Sequence, residues 1–113
     1  MPPSTATPAI DLDALLQRCL GNLDLAERAI EAFLDDFPTS HSNLEQAIEL
    51  DDSEAVSQLA HRMKGAARNV GAESLAGLLE SMESLSAEGD REQKRELAAT
   101  IADELKRLEE SVL

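Results

Sequence analysis

The sequence predicts an all-α fold, an antiparallel up-down four-helix bundle with a short additional N-terminal helix. Apolar residues recur three and four positions apart through four long segments, and no stretch alternates apolar and polar residues as a sheet requires. Short breaks carrying Gly or Asp separate these segments, and short connections force consecutive long helices to run antiparallel. At 113 residues the chain has room for one such bundle. The domain is expected over residues 9–113, behind a leader at 1–8 whose Pro, Ser and Thr content predicts disorder.

The first periodic segment, Ile10 to Leu20, holds Leu12, Leu15, Leu16 and Cys19 and stops near Gly21-Asn22, which predicts a short helix lying over one end or side of the bundle. Cys19 is the single cysteine, so no internal disulfide forms, and its leucine neighbours predict burial. Asp24-x-x-Glu27 fits a capping box at the start of the second helix. Ala26, Ile30, Phe33, Leu34, Phe37, Leu44, Ala47 and Ile48 keep helical spacing across Pro38. One long helix bent at the proline is expected, with two helices as the alternative. His41 stands on this element among Ser and Thr, where a surface or packing role is expected.

Asp51 to Ser53 predicts a turn, and Asp51-x-x-Glu54 a second helix start. The third helix should run to Asn69 or Val70 and stop at Gly71, which adopts the left-handed conformation at no steric cost. Leu75, Leu78, Leu79, Met82 and Leu85 give the fourth helix, Glu73 to Ala87, one apolar face. After Gly89-Asp90 the last helix repeats Leu97, Ile101, Leu105, Leu108 and Val112. That stripe could serve a coiled-coil dimer, but the other helices carry equivalent stripes that need cover, so internal packing and a monomer are expected.

Composition removes several functions. With 23 acidic against 10 basic residues and a net charge of −13, the chain repels nucleic acid and anionic lipid over most of its surface. Phe33 and Phe37 are its only aromatics, too few for base-stacking platforms. No apolar run is long enough to span a bilayer and the leader lacks a secretion signal's basic and apolar regions, so a cytoplasmic location is expected. The two histidines are not at metal-ligand spacing and no glycine-rich nucleotide loop occurs, so no cofactor is expected in this domain.

Chemistry concentrates on the third helix. His61, Lys64, Gly65 and Arg68 stand at i, i+3, i+4 and i+7 and share one face, while Leu59, Met63, Ala66, Ala67 and Val70 supply the other. Between Ala55 and Ala72 there are Arg62, Lys64 and Arg68 and no acid, which predicts a basic island on an acidic body. A glycine inside a helix costs about 1 kcal/mol relative to alanine. At Gly65 it would clear space beside the imidazole for a bulky group. The competing reading is a few surface cations with a glycine that permits close helix packing. A neutral imidazole can attack phosphorus and later depart as a leaving group. Lys64 would set an ammonium near the phosphoryl oxygens, and Arg68 would strengthen the field or touch a partner.

The passage from Ala60 through Glu83 resembles the histidine-containing phosphotransfer domain family, through His61, Lys64, Gly65, Gly71, Leu75, Leu78 and the pair Met82-Glu83. The resemblance implies that His61 accepts a phosphoryl group from the aspartate of one receiver domain and passes it to another. It implies that Lys64 aids electrostatically, that Gly65 gives clearance and that Glu83 hydrogen-bonds near the imidazole. The partners it implies are receiver domains of response regulators or hybrid histidine kinases, with Mg2+ held by the receiver, and no autonomous kinase activity here. Met63 replaces a frequent leucine, and Arg68 stands where small residues are common in the family, which would tune receiver preference. A phosphorylation-independent helical interaction adaptor is the alternative from another class. The phosphate-accepting domain of a chemotaxis-type kinase is a further one and would need a larger protein.

Overall fold

Side-chain caps decide where the first three helices begin. Asp11, Asn22 and Asp52 each accept, at 3.1 Å, the backbone N–H three residues on, at Ala14, Leu25 and Ala55. Each cap satisfies one donor that a helix start leaves without a partner. The computed structural model, which describes residues 9–112, accordingly starts α1 (Leu12–Arg18), α2 (Leu23–Glu49) and α3 (Ser53–Asn69) directly after them, followed by α4 (Glu73–Glu88) and α5 (Arg91–Val112). The leader expected at 1–8 lies outside the described residues.

Two expected starts are corrected. The box at Asp24 falls inside the first turn of α2, because Asn22 already caps that helix. Asp51 occupies the preceding turn in the left-handed region, φ 58, and its neighbour Asp52 caps α3. The reciprocal capping box belongs to α5 instead. Asp90 accepts the Gln93 N–H at 2.8 Å, and the Gln93 side chain accepts the Asp90 N–H at 2.9 Å.

The chain stays helical through Pro38, which lacks the N–H that would bond the Leu34 carbonyl. Buried Phe33 and Phe37 before it and Leu44, Ala47 and Ile48 after it hold both halves against the bundle, so α2 is one helix.

Helices α2 to α5 close a ring in which each packs against the next and α5 returns to α2. Leu44, Ile48, Val56, Leu75, Leu79, Met82, Ile101 and Leu108 are fully buried in its centre. Burying each such side chain contributes roughly 1.5–3 kcal/mol. The α5 stripe is used inside the bundle, with Ala98, Ile101, Leu105 and Leu108 buried and Val112 exposed at its end. On α3 the buried face is Val56, Ala60, Met63, Ala67 and Val70. Ala66, expected on that face, is exposed, and Leu59 is only half-buried. At about 100° per residue positions 56, 60, 63, 67 and 70 fall within an arc of about 80°, while 59 lies about 20° and 66 about 40° beyond its edge.

Three polar side chains are buried among the described residues, His41, Ser86 and Lys94. His41 Nε2–H donates to the Ala98 carbonyl at 2.9 Å, joining α2 to α5 in a packing role. Lys94 is 4% exposed, and its ammonium donates to the Ser86 carbonyl at 2.8 Å. That contact satisfies a carbonyl of the last turn of α4, where a cation also opposes the negative end of the helix dipole.

The short α1 closes a second small cluster of Leu15, Cys19 and Ala26, while Leu12, expected on its inner side, is 47% exposed. The Asp11 N–H donates to the Gly71 carbonyl at 2.8 Å and the Arg18 guanidinium donates to the Arg68 carbonyl, so the first helix is fastened to the end of α3. Gly71 ends α3 at φ +77, and a Cβ there would stand 2.7 Å from the Asp11 carbonyl oxygen. Gly65 is helical, and a Cβ there would meet no atom within 4 Å.

The two glycines therefore answer the same substitution with opposite signs. Gly71→Ala should destabilise by on the order of 1–3 kcal/mol, through positive φ and the clash with Asp11. Gly65→Ala should stabilise by up to about 1 kcal/mol. Urea denaturation midpoints of the two variants, one below and one above wild type, provide the check.

Candidate functional site

Helix α3 carries His61 at mid-length and α4 lies alongside it, so a side chain of α4 can reach the same face. Met82 is fully buried, which points its neighbour Glu83 toward the seam between the two helices. Glu83 Oε2 lies 3.1 Å from His61 Nδ1, and Glu83 Oε1 accepts from Lys64 Nζ at 2.8 Å. One carboxylate thus bridges the imidazole and the ammonium.

The two bridged groups differ in exposure. The His61 side chain is 70% exposed, whereas that of Lys64 is 14% exposed, its stem lying against the bundle and its head turned to Glu83. The Lys64 hydrogen bond, aided by the charges of Lys64 and His61, holds the Glu83 carboxyl below the usual carboxylate range. It is therefore ionised at neutral pH and can only accept hydrogen bonds. The proton in the 3.1 Å contact sits on His61 Nδ1. In a neutral ring that leaves the lone pair on Nε2, which has no hydrogen-bond partner among the described residues.

Around the ring, Gly65 leaves open space one turn on. Arg68, a further turn away, lies 3.7 Å from Glu80 of α4, and its own carbonyl accepts from Arg18. Ser57, Lys64, Glu80, Glu83 and Ser84 line a shallow polar hollow on the α4 side. On the α2 side, Phe33, Phe37, Met63, Ala66 and Val70 form an apolar groove of 370 Å³ with Asp36 and Arg62 at its rim. The Phe33 and Phe37 rings pack at 5.0 Å between centroids.

The expected basic island needs correction. Its cations are where the sequence puts them, but α4 lays Glu83 on Lys64 and Glu80 beside Arg68, so the charge is largely met within the fold. A window along one helix does not contain the acids of the next. His61, Lys64, Gly65 and Glu83 come together, Arg68 stands at the edge, and Gly71 is the end of the helix.

Sequence reasoning missed the support behind Glu83. Ser86 Oγ donates to the Glu83 carbonyl at 2.7 Å, and the Ser86 carbonyl takes Lys94, so a buried chain runs from α5 to the turn that holds the carboxylate. A lysine one turn into an amphipathic helix reads as surface, and no pattern in the sequence marks it otherwise.

Residues 28–111 match the family model of the Hpt domain. The chain belongs to the Hpt domain family. No curated protein and no solved structure matches it. The matched stretch begins inside α2 and contains the whole of α3 and α4, while α1 lies before it. Membership gives this Hpt domain a general role in a phosphorelay, and Hpt domains interact with receiver domains of response regulators and histidine kinases. Among its described residues no group of three or more His, Cys, Asp or Glu could hold a metal ion, and no helix is long and apolar enough to cross a membrane.

The ionic bridge makes stability depend on pH. Because the carboxyl of Glu83 is depressed in the folded state, its contribution is fully present above its ordinary value of 4.5 and is lost as pH falls through the lower folded value. Wild type should exceed Glu83→Gln in urea midpoint at pH 7, and the gap should narrow as pH is lowered below 4.5. A constant gap across that range would mean that the charge of Glu83 contributes nothing.

Proposed function

We propose that this Hpt domain is a phosphorelay intermediate in which His61 Nε2 takes a phosphoryl group from a receiver-domain aspartate and passes it to the aspartate of another receiver. The observation that carries this reading is the state of the ring. It is 70% exposed, bonded through Nδ1 to an ionised carboxylate, and unbonded at Nε2 among the described residues.

In the forward step the Nε2 lone pair attacks phosphorus and the bond to the aspartyl oxygen breaks, returning a carboxylate to the receiver. Onward transfer reverses these roles. Glu83 orients the ring, and Lys64, already beside it, extends its ammonium toward the phosphoryl oxygens. Gly65 leaves room for the incoming group and the receiver loop that carries it. The receiver supplies its own aspartate and Mg2+; the residues of this chain provide alignment and charge.

The groove between α2 and α3 fits the docking of an apolar receiver surface next to His61. Its floor of Phe33, Phe37 and Met63 is buried and continuous with the core, and Asp36 and Arg62 set one charge of each sign on the rim. Arg68, 46% exposed in its side chain and only loosely engaged by Glu80, is placed to discriminate among receivers.

Incubation with a phosphorylated receiver should load acid-labile phosphate onto wild type and none onto a folded His61→Gln variant. Lys64→Ala should slow transfer on the order of 10- to 100-fold, the loss of one electrostatic donor. Gly65→Leu should remain folded yet transfer slowly, because the added side chain fills the space beside the ring. Label on His61→Gln at the wild-type rate would assign the chemistry elsewhere, and receiver binding without any transfer would favour an adaptor.

A further inference from the structure

Glu83 does more than point the ring if His61 is the phosphoacceptor, on which the following rests. We infer that Glu83 sets how readily phospho-His61 surrenders its phosphoryl group, by keeping a proton on Nδ1 of the phosphorylated ring. The geometry is the 3.1 Å contact of Glu83 Oε2 with Nδ1, made by a carboxylate whose other oxygen holds Lys64 at 2.8 Å.

The chemistry follows from the leaving group. When the Nε2–P bond of phospho-His61 breaks, its electron pair returns to Nε2. With a proton on Nδ1 the departing ring is neutral imidazole; without one it is imidazolate, a far poorer leaving group. In transfer, the receiver carboxylate oxygen bonds to phosphorus as Nε2–P breaks, and no proton moves. In hydrolysis water takes that place and its proton passes to the phosphate and solvent. Both routes return the Nδ1–H tautomer seen in the resting site, with Glu83 accepting throughout.

No other charged group is placed to do this. On α3, Lys64 is a donor and is held by Glu83, while Arg62 lies at the groove rim with Asp36 of α2. On α4, Glu80 faces Arg68 at 3.7 Å. Among the described residues Glu83 alone hydrogen-bonds the ring. Lys64 links the two ends of the reaction. As its ammonium moves toward phosphoryl oxygens it leaves the carboxylate more fully charged, and the hold on Nδ1–H strengthens at the moment phosphate is in place.

The test needs no receiver. Wild type, Glu83→Gln and His61→Gln are phosphorylated with phosphoramidate, a small phosphoryl donor, and decay of phosphohistidine is followed by 31P NMR from pH 5 to pH 10. At pH 5, below the ordinary imidazole range, an Nδ1 proton is present in either protein and the lifetimes should agree. At pH 8 phospho-His61 should persist about tenfold longer in Glu83→Gln, the effect of removing one adjacent opposite charge. Superimposed pH profiles overturn the inference. So does a lifetime longer by one factor at every pH, which is what release of Lys64 alone would give. The phosphoacceptor reading fails separately, if wild type yields no phosphohistidine or if His61→Gln yields as much.

Discussion

The carboxylate of Glu83 between His61 and Lys64 is the contact to which the rest of the molecule is fitted. It spans two helices, so its geometry is only as good as the register of α3 against α4. That register is set by fully buried Ala60, Ala67, Leu75, Leu79 and Met82, and by a turn of three residues whose Gly71 takes φ +77. Small alanines on α3 let α4 come close. With Met82 locked in the core, the adjacent Glu83 has little freedom except along the seam. The buried Ser86 and Lys94 contacts then hold the same turn from behind. A loop would not give this precision, whereas a site borne on packed helices keeps its groups aligned before any partner arrives.

The bridge also bears on how an acidic protein would keep a cation available for phosphate in the proposed relay. A lone ammonium on a body of net charge −13 would attract any of several acids on its own surface. Here a single carboxylate takes it and offers its second oxygen to the His61 imidazole, so ammonium and ring share one partner. The cost is a donor that is never wholly free. The gain is that its pairing is exchangeable, since the Lys64 stem is flexible and three N–H groups can be shared between carboxylate and phosphoryl oxygens.

Much of this was legible in the sequence, for identifiable reasons. Five helices, the all-α ring and the inward stripe of α5 followed from spacing, because periodicity reports which side of a helix is covered. Gly71 as a stop was readable from local chemistry, whereas for His41 the choice between surface and packing needed the Ala98 carbonyl of α5. Helix starts at Asp24 and Asp51 were misplaced because several capping residues stand side by side at each site, and only the backbone chooses among Asn22, Asp24, Asp51 and Asp52. His61, Lys64 and Gly65 could be put on one face from the sequence because they share one helix, where spacing alone fixes the face. The meaning of Glu83 for Lys64, of Glu80 for Arg68, and of Lys94 for the end of α4 depends on contacts between helices. Such contacts leave no mark in a local window.

The end of α3 shows how the same arrangement reaches beyond the matched family region. Arg68 lies in its last turn, and Arg18 from α1 donates to the Arg68 carbonyl, which also accepts the Gly71 N–H, so two guanidinium groups stand at the negative end of the helix dipole. The Asp11 N–H closes on the Gly71 carbonyl beside them. A helix whose end frays would let its later turns drift relative to α4, and Lys64 and Gly65 lie only one to two turns inside that end. The short first helix thus serves the site without touching it. By fastening the terminus of α3 it preserves the register on which the shared carboxylate depends.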